Sequence, residues 1–98
     1  MTRDEVVKTL KQEEASIRRF GATALYLFGS AARDEIEPGS DIDVFIEYDR
    51  TSGFSLIELC GLQLYLSDRF QRKIDLATRD GLHPMLREQI EHDSIRVI

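Results

Sequence analysis

The sequence predicts an α/β domain, a small sheet covered by helices, and three observations carry that expectation. Ala22–Phe28 is an unbroken apolar run, and Asp41–Tyr48 alternates acids against Ile42, Val44 and Ile46, so both read as strands. Segments with helical spacing and recognisable caps flank and separate them. The resulting order is helix, strand, short turn, strand, helix, strand, helix. It leaves the helices to cover the sheet, which must bury its apolar faces against something. The 98 residues, 42% of them apolar, are enough for one compact domain with a core, and residues 1–98 are read as a single unit without repeat or linker.

Each element has its own local reason. Residues 3 to 20 are expected to form one helix, with Thr2 as cap, Asp4 and Glu5 in the first turn, and Val6, Leu10, Ile17 and Phe20 on one stripe. Glu13 and Glu14 interrupt that stripe, and Gly21 ends the helix. Ala22–Phe28 is too short for a typical helix and reads as a buried strand. A polar stretch follows, with a short helical turn at Ser30–Arg33 and a Pro38-Gly39-Ser40 turn before the second strand. Ser55 and Glu58 form a capping box ahead of a helix over roughly 55–70. Ile74–Ala77 is a short third strand, Asp80-Gly81 a turn, and Pro84 suits the first position of a helix running to about His92. The closing SIRVI fits either a short strand or a packed tail.

Composition excludes several classes. Eighteen acids against 13 bases give a net charge of −5, which opposes gripping a nucleic-acid backbone, so no direct nucleic-acid binding is expected. A single cysteine makes no internal disulfide, and with two distant histidines it makes no zinc site. No apolar run approaches the roughly 18 residues of a membrane span, and no signal-peptide pattern opens the chain, so a cytoplasmic location is expected. Cys60 reads as a small core hydrophobe; His83 and His92, with no ligand set around them, read as structural or solvent-facing.

The chemistry lies in the acids. Asp41 and Asp43 are two apart on a strand, so both side chains point to one face. Neighbouring carboxylates repel unless a cation lies between them, and hard oxygen ligands of this kind suit Mg²⁺. By itself a D-x-D is short and common, and such acids also punctuate ordinary turns. Here it stands one strand after Gly29-Ser30, where a sharp turn offers backbone N–H groups and a hydroxyl to phosphate oxygens; ten residues separate Ser30 from Asp41. A third acid, Asp75, interrupts an apolar strand. It is either an edge residue facing solvent or, if its strand lies beside the second, a partner on the face of Asp41 and Asp43.

Leu27-Phe-Gly-Ser-Ala-Ala-Arg33, Gly39-Ser-Asp-Ile-Asp-Val44 and Lys73-Ile-Asp-Leu76 together resemble the minimal nucleotidyltransferase (MNT) family of the polymerase-β-like superfamily, over roughly residues 20 to 98. The resemblance implies a mixed three-stranded sheet flanked by about four helices, two Mg²⁺ ions, and transfer of AMP from ATP to a hydroxyl acceptor. It implies that Gly29 and Ser30 hold the triphosphate and that Asp41 and Asp43 bind the metals. Asp75 would complete one metal site and help deprotonate the acceptor, Arg33 would support the loop or contact phosphate, and Ser40 would brace the turn before Asp41. Members are often paired with a helical HEPN-domain protein as antitoxin to an RNA-cleaving toxin, and some add AMP to a tyrosine of that partner. Asp34 departs from the pattern, standing where the family usually has glycine. Its charge should weaken nucleotide affinity unless it is tied up with Arg33, so Asp34→Gly is expected to tighten ATP binding.

Ten of the seventeen residues from Phe54 to Phe70 are apolar, more than one helix face needs, and the surplus is expected to meet a partner protein. D-x-D phosphatases and glycosyltransferases fit less well: both need a longer chain, and in the phosphatases the acid pair follows its strand. The remaining alternatives are a module that neutralises a HEPN partner by contact alone, and an enzyme adenylylating a small molecule.

Overall fold

The computed structural model describes every residue, Met1 to Ile98. Helices α1 (Arg3–Gln12) and α2 (Glu14–Arg19) lead into β1 (Ala22–Phe28), the one-turn α3 (Gly29–Ala32) and β2 (Ile42–Tyr48). Then come α4 (Leu56–Phe70), β3 (Ile74–Thr78), a 3₁₀ turn (Arg79–Gly81), α5 (Pro84–Asp93) and β4 (Ile95–Arg96). The sheet is mixed, in the order β3-β2-β1-β4, with β2–β3 parallel and both other pairings antiparallel. No helix is long and apolar enough to cross a membrane.

The core lies between one sheet face and the helices α1, α2 and α4. Ile42, Val44 and Ile46 of β2 alternate into it, joined by Leu25 and Leu27, and they meet Val6, Leu10, Ile17, Leu62 and Leu66, all fully buried. Every buried residue is apolar. The expected caps are in place. Thr2 accepts the Glu5 amide, Ser55 and Glu58 form a reciprocal capping box, and Pro84 opens α5 after His83, whose Nδ1 accepts the Met85 amide at 3.2 Å. His92 is exposed.

Two expectations are corrected. The sheet has four strands, not three, and five helical segments flank it. The tail pairs with β1 over only Ile95 and Arg96, too short for any period to show in sequence, and the Val97 amide extends it by donating to the Leu25 carbonyl at 2.8 Å. The helix over 3–20 is broken at Glu13, which leaves the helical region at φ −96, ψ 11. The break is held from outside: Tyr65 of α4 donates its hydroxyl to Glu13, and Arg69 Nε donates to the same carboxylate at 3.0 Å.

Those bonds hold the Glu13 carboxyl below its ordinary value, Tyr65 contributing most and Arg69 next. A lowered carboxyl stabilises the fold above its unfolded pKa and loses that contribution as the pH falls through the folded value. Glu13→Ala is therefore expected to cost about 1–2 kcal/mol at neutral pH, the size of lost hydrogen bonds to a charged group near the surface. In thermal melts the gap to wild type should shrink below about pH 4, where the unfolded-state carboxyl protonates; a constant gap down to pH 3 would contradict the assignment.

Candidate active site

The acids come together through strand pairing. The parallel β2–β3 register sets Asp43 opposite Asp75, and the antiparallel β1–β2 register sets Phe28 opposite Asp43. Asp43 therefore lies on the sheet face away from the α1–α4 core, between an aromatic and a carboxylate. That face continues into Phe45, which stacks on Tyr26 with ring centres 4.7 Å apart. Asp41 sits one residue before β2, with Lys73 Nζ 3.6 Å from its Oδ2. Asp75 lies on the edge strand and is exposed, so the sequence's choice between a solvent-facing edge residue and a partner of Asp43 resolves into both.

Asp43 is half-buried, and its carboxyl is pushed up to about 6. Burial contributes most, then the charges of Asp75 and Asp41, while Arg33 opposes them. A raised carboxyl of this kind accompanies acids crowded together without a compensating charge. Folding brings together negative charge that nothing within the chain fully neutralises. No three acidic, histidine or cysteine side chains close around one point. Mg²⁺ takes one or two carboxylates and fills its remaining positions with water and phosphate oxygens, so the residues that could hold it here are Asp43 and its neighbouring carboxylates.

Gly29 links the turn to the acids. It begins α3 at φ +71, a region open to glycine, and a methyl group there would overlap the Asp43 carboxylate, whose Cγ and Cβ would lie 3.2 and 3.3 Å from it. The backbone of the Gly29-Ser30 turn thus runs directly against Asp43. Ser30 is the second residue of α3, half-buried, and its carbonyl accepts the Glu35 amide at 2.8 Å, closing the loop behind it. Ser40 donates its hydroxyl to the Glu37 carbonyl at 2.6 Å and accepts the Glu37 amide at 2.8 Å, closing the turn before Asp41.

Two further expectations change. Arg33 pairs with Glu35 at 3.2 Å and leaves Asp34 alone. Asp34 accepts instead from the backbone amide of Arg3, at 2.7 Å. It sits at φ +59, a left-handed conformation that explains glycine at this position and that Asp tolerates better than most residues. Cys60 is exposed rather than in the core. Leu62, Leu66 and Phe70 form the buried seam of α4, and Cys60, two residues before Leu62, is turned roughly 200° from it.

Sequence reasoning missed Arg72 and assigned no role to Lys73. Arg72 Nη1 donates to the carbonyls of Glu37 and Ser40, both at 3.1 Å, and so clamps the loop that delivers Asp41. Lys73 holds Asp41 by charge and, through its carbonyl, the Ile42 amide at 3.1 Å. A basic pair immediately before a strand carrying an acid was the available signal. At the other end of β2 and β3 lies a hollow of about 250 Å³ lined by Glu47, Tyr48, Arg50, Arg79 and Asp80 among others. Its guanidiniums are already paired, Arg79 with Glu47 and Glu91 and Arg50 with Asp80, and none of the acids described above reaches it.

A Gly-Ser turn packed on a D-x-D strand, with a third acid in register on a parallel neighbour, defines a class of phosphoryl-type transferases. The chain belongs to the nucleotidyltransferase domain family, whose model matches residues 4–97, and it is a nucleotidyltransferase of the minimal type. It is 34% identical, over 98% of both chains, to a candidate protein adenylyltransferase of Methanocaldococcus jannaschii. It also resembles the solved structure of a candidate minimal nucleotidyltransferase, with TM-score 0.75 and 30% identity over 91% of this chain and 93% of that one. The same fold occurs in the structure of a tri-AMPylated Shewanella oneidensis HEPN toxin in complex with an MNT antitoxin, at TM-score 0.67 and 17% identity over 94% of this chain and 71% of that one.

Proposed function

We propose that the chain transfers AMP from ATP to a hydroxyl of a HEPN-type partner protein, in a Mg²⁺-dependent reaction, as the antitoxin of a toxin–antitoxin pair. The observation that supports this most is the register of Asp43 with Asp75 beside the Gly29-Ser30 turn. In this reading Asp41, Asp43 and Asp75 hold two ions, which when bound offset charge on the attacking and leaving oxygens. Gly29 and Ser30 hold the triphosphate, and Arg33 offers a guanidinium beside the loop. Ser40 and Arg72 keep Asp41 in place. Asp75, exposed at the sheet edge, is free to take the proton of an incoming hydroxyl, which becomes bonded to the α-phosphorus as pyrophosphate leaves.

The acceptor's protein nature is supported by the name of the Methanocaldococcus relative and by the outer face of α4. Leu56, Ile57 and Leu64 are 70, 82 and 72% exposed and, with Cys60 between them, form a stripe without charge. Incubation with labelled ATP, Mg²⁺ and the co-encoded partner should label the partner. Labelling should vanish in Asp41→Ala and Asp75→Ala; neutralisation of the partner that survives both changes would favour the contact-only module.

The α4 stripe has its own test. Ile57→Glu combined with Leu64→Glu should weaken partner binding by at least about tenfold, since an apolar interface would have to bury two unpaired carboxylates. Nucleotide binding and melting temperature should stay within error, because surface changes rarely cost more than about 0.5 kcal/mol. Unchanged partner affinity would move the interface elsewhere.

A further inference from the structure

We infer that Asp34 is a positioning residue for the nucleotide-holding turn, acting by fastening α3 to the first turn of α1. The inference rests on the reading of Gly29–Ala32 as that turn, and it reverses the sign expected from charge alone. The Arg3 amide, first in α1, donates to Asp34 Oδ1 at 2.7 Å, while the Thr2 hydroxyl, capping the helix, accepts the Glu5 amide. Asp34 follows directly on Arg33, the residue that ends α3. Ala31 and Ala32 of α3 pack in the same core cluster as Val6 and Leu10 of α1. The turn is therefore held against α1 by packing on its buried side and by this bond where it ends.

Two features separate this bond from an incidental contact. The conformation at position 34, φ +59, is one that glycine adopts more easily, so the aspartate side chain is not there to make the turn. What it adds is an anionic acceptor, placed where a helix start presents unpaired amides and partial positive charge. Its charge is thereby engaged at α1, and the loss of this acceptor frees the end of the turn that Gly29 presses against Asp43.

The test is a titration with a non-transferable ATP analogue and Mg²⁺, using variants that cut the bond from each side. Asp34→Gly removes the acceptor without straining the backbone. Arg3→Pro removes only the donor, because the first helical position tolerates proline and Thr2 already has the extended conformation, φ −101 and ψ 165, that proline requires before it. Each should weaken nucleotide binding roughly three- to tenfold, the range for the net contribution of one ordinary hydrogen bond, since Asp34 is exposed and water screens its charge. The double variant should be no weaker than either single one, because both cut the same bond. Asp34→Asn, which keeps an acceptor but not its charge, should lose less than Asp34→Gly, and Arg3→Ala, which keeps the amide, should bind as wild type does.

Tighter or unchanged binding in Asp34→Gly, or losses that multiply in the double variant, would overturn the inference while leaving the proposed function standing. Melting temperatures that fall with affinity unchanged would reduce Asp34 to a stabilising cap and also overturn it. A wild type that binds no nucleotide removes the parent reading and this one together, a result distinct from all the others.

Discussion

Asp43→Asn is expected to cut nucleotidyl transfer by at least about 10³-fold, because metal ligation is asked to supply several kcal/mol of transition-state stabilisation. The same change should make the metal-free protein more stable. Burial, with Asp75 and Asp41 beside it, raises the Asp43 carboxyl to about 6, so the folded state holds this proton more tightly than the unfolded chain does. A raised pKa contributes stability below the unfolded value that is lost as the pH rises through the folded one. At pH 8 the ionised Asp43 therefore costs the fold on the order of 1–2 kcal/mol, after allowance for its partial exposure. Asp43→Asn should melt higher than wild type by several degrees, at roughly 4–8 °C per kcal/mol for a domain of this size. The gap should begin to close as the pH falls below about 6 and be gone near the unfolded carboxyl value of about 4.

Added Mg²⁺ should raise the melting temperature of the wild type and leave Asp43→Asn unmoved, since binding to the folded state alone is what stabilises. Activity and stability then move in opposite directions at one residue, a pattern that a purely structural aspartate does not give. A variant that melts lower than wild type without metal, or one that still transfers at the wild-type rate, would refute the assignment of Asp43.

Gly29→Ala is expected to be the other severe change. The backbone there is at φ +71, and the added methyl would overlap the Asp43 carboxylate, so the variant must both strain its backbone and displace the Asp43 side chain. The fold should lose about 2 kcal/mol or more, and transfer should fall by about 10²-fold, the scale on which an ångström of misplacement acts. Gly53→Ala separates the two effects. Gly53 has a similar φ, +80, but a methyl group there meets nothing within 4 Å. It should show the strain, near 1 kcal/mol, with transfer intact. Equal activity in the two variants would mean that the approach of the turn to Asp43 is not used.

The elements that the sequence predicted well share a physical property: their causes lie within a few residues. Apolar side chains at every position but Thr23 made β1 legible from Ala22 to Phe28, Ser55 and Glu58 fixed the start of α4, and Pro84 fixed the start of α5. The candidate site was legible for the same reason, because a Gly-Ser turn and a D-x-D strand are each local patterns whose spacing can be counted.

What failed had distant causes. The break at Glu13 depends on Tyr65, 52 residues away, and Asp34 finds its partner 31 residues back, at the Arg3 amide, rather than in the adjacent Arg33. Cys60 sits among apolar neighbours and still faces out, because only packing decides which stripe of an over-apolar helix meets the sheet. β4 exists by its pairing with β1 alone.

The sequence by itself thus determined where most strands and helices run and which residue types could hold a nucleotide and a cation. The tertiary structure decided that Asp75 stands opposite Asp43, that Arg72 clamps the loop before Asp41, and that Asp34 takes its hydrogen bond from the first turn of α1 rather than from Arg33. Local propensity and capping act over a turn or a strand pair. Register, burial and the choice of partner for a charge are settled only when the chain closes on itself and distant groups compete for the same space.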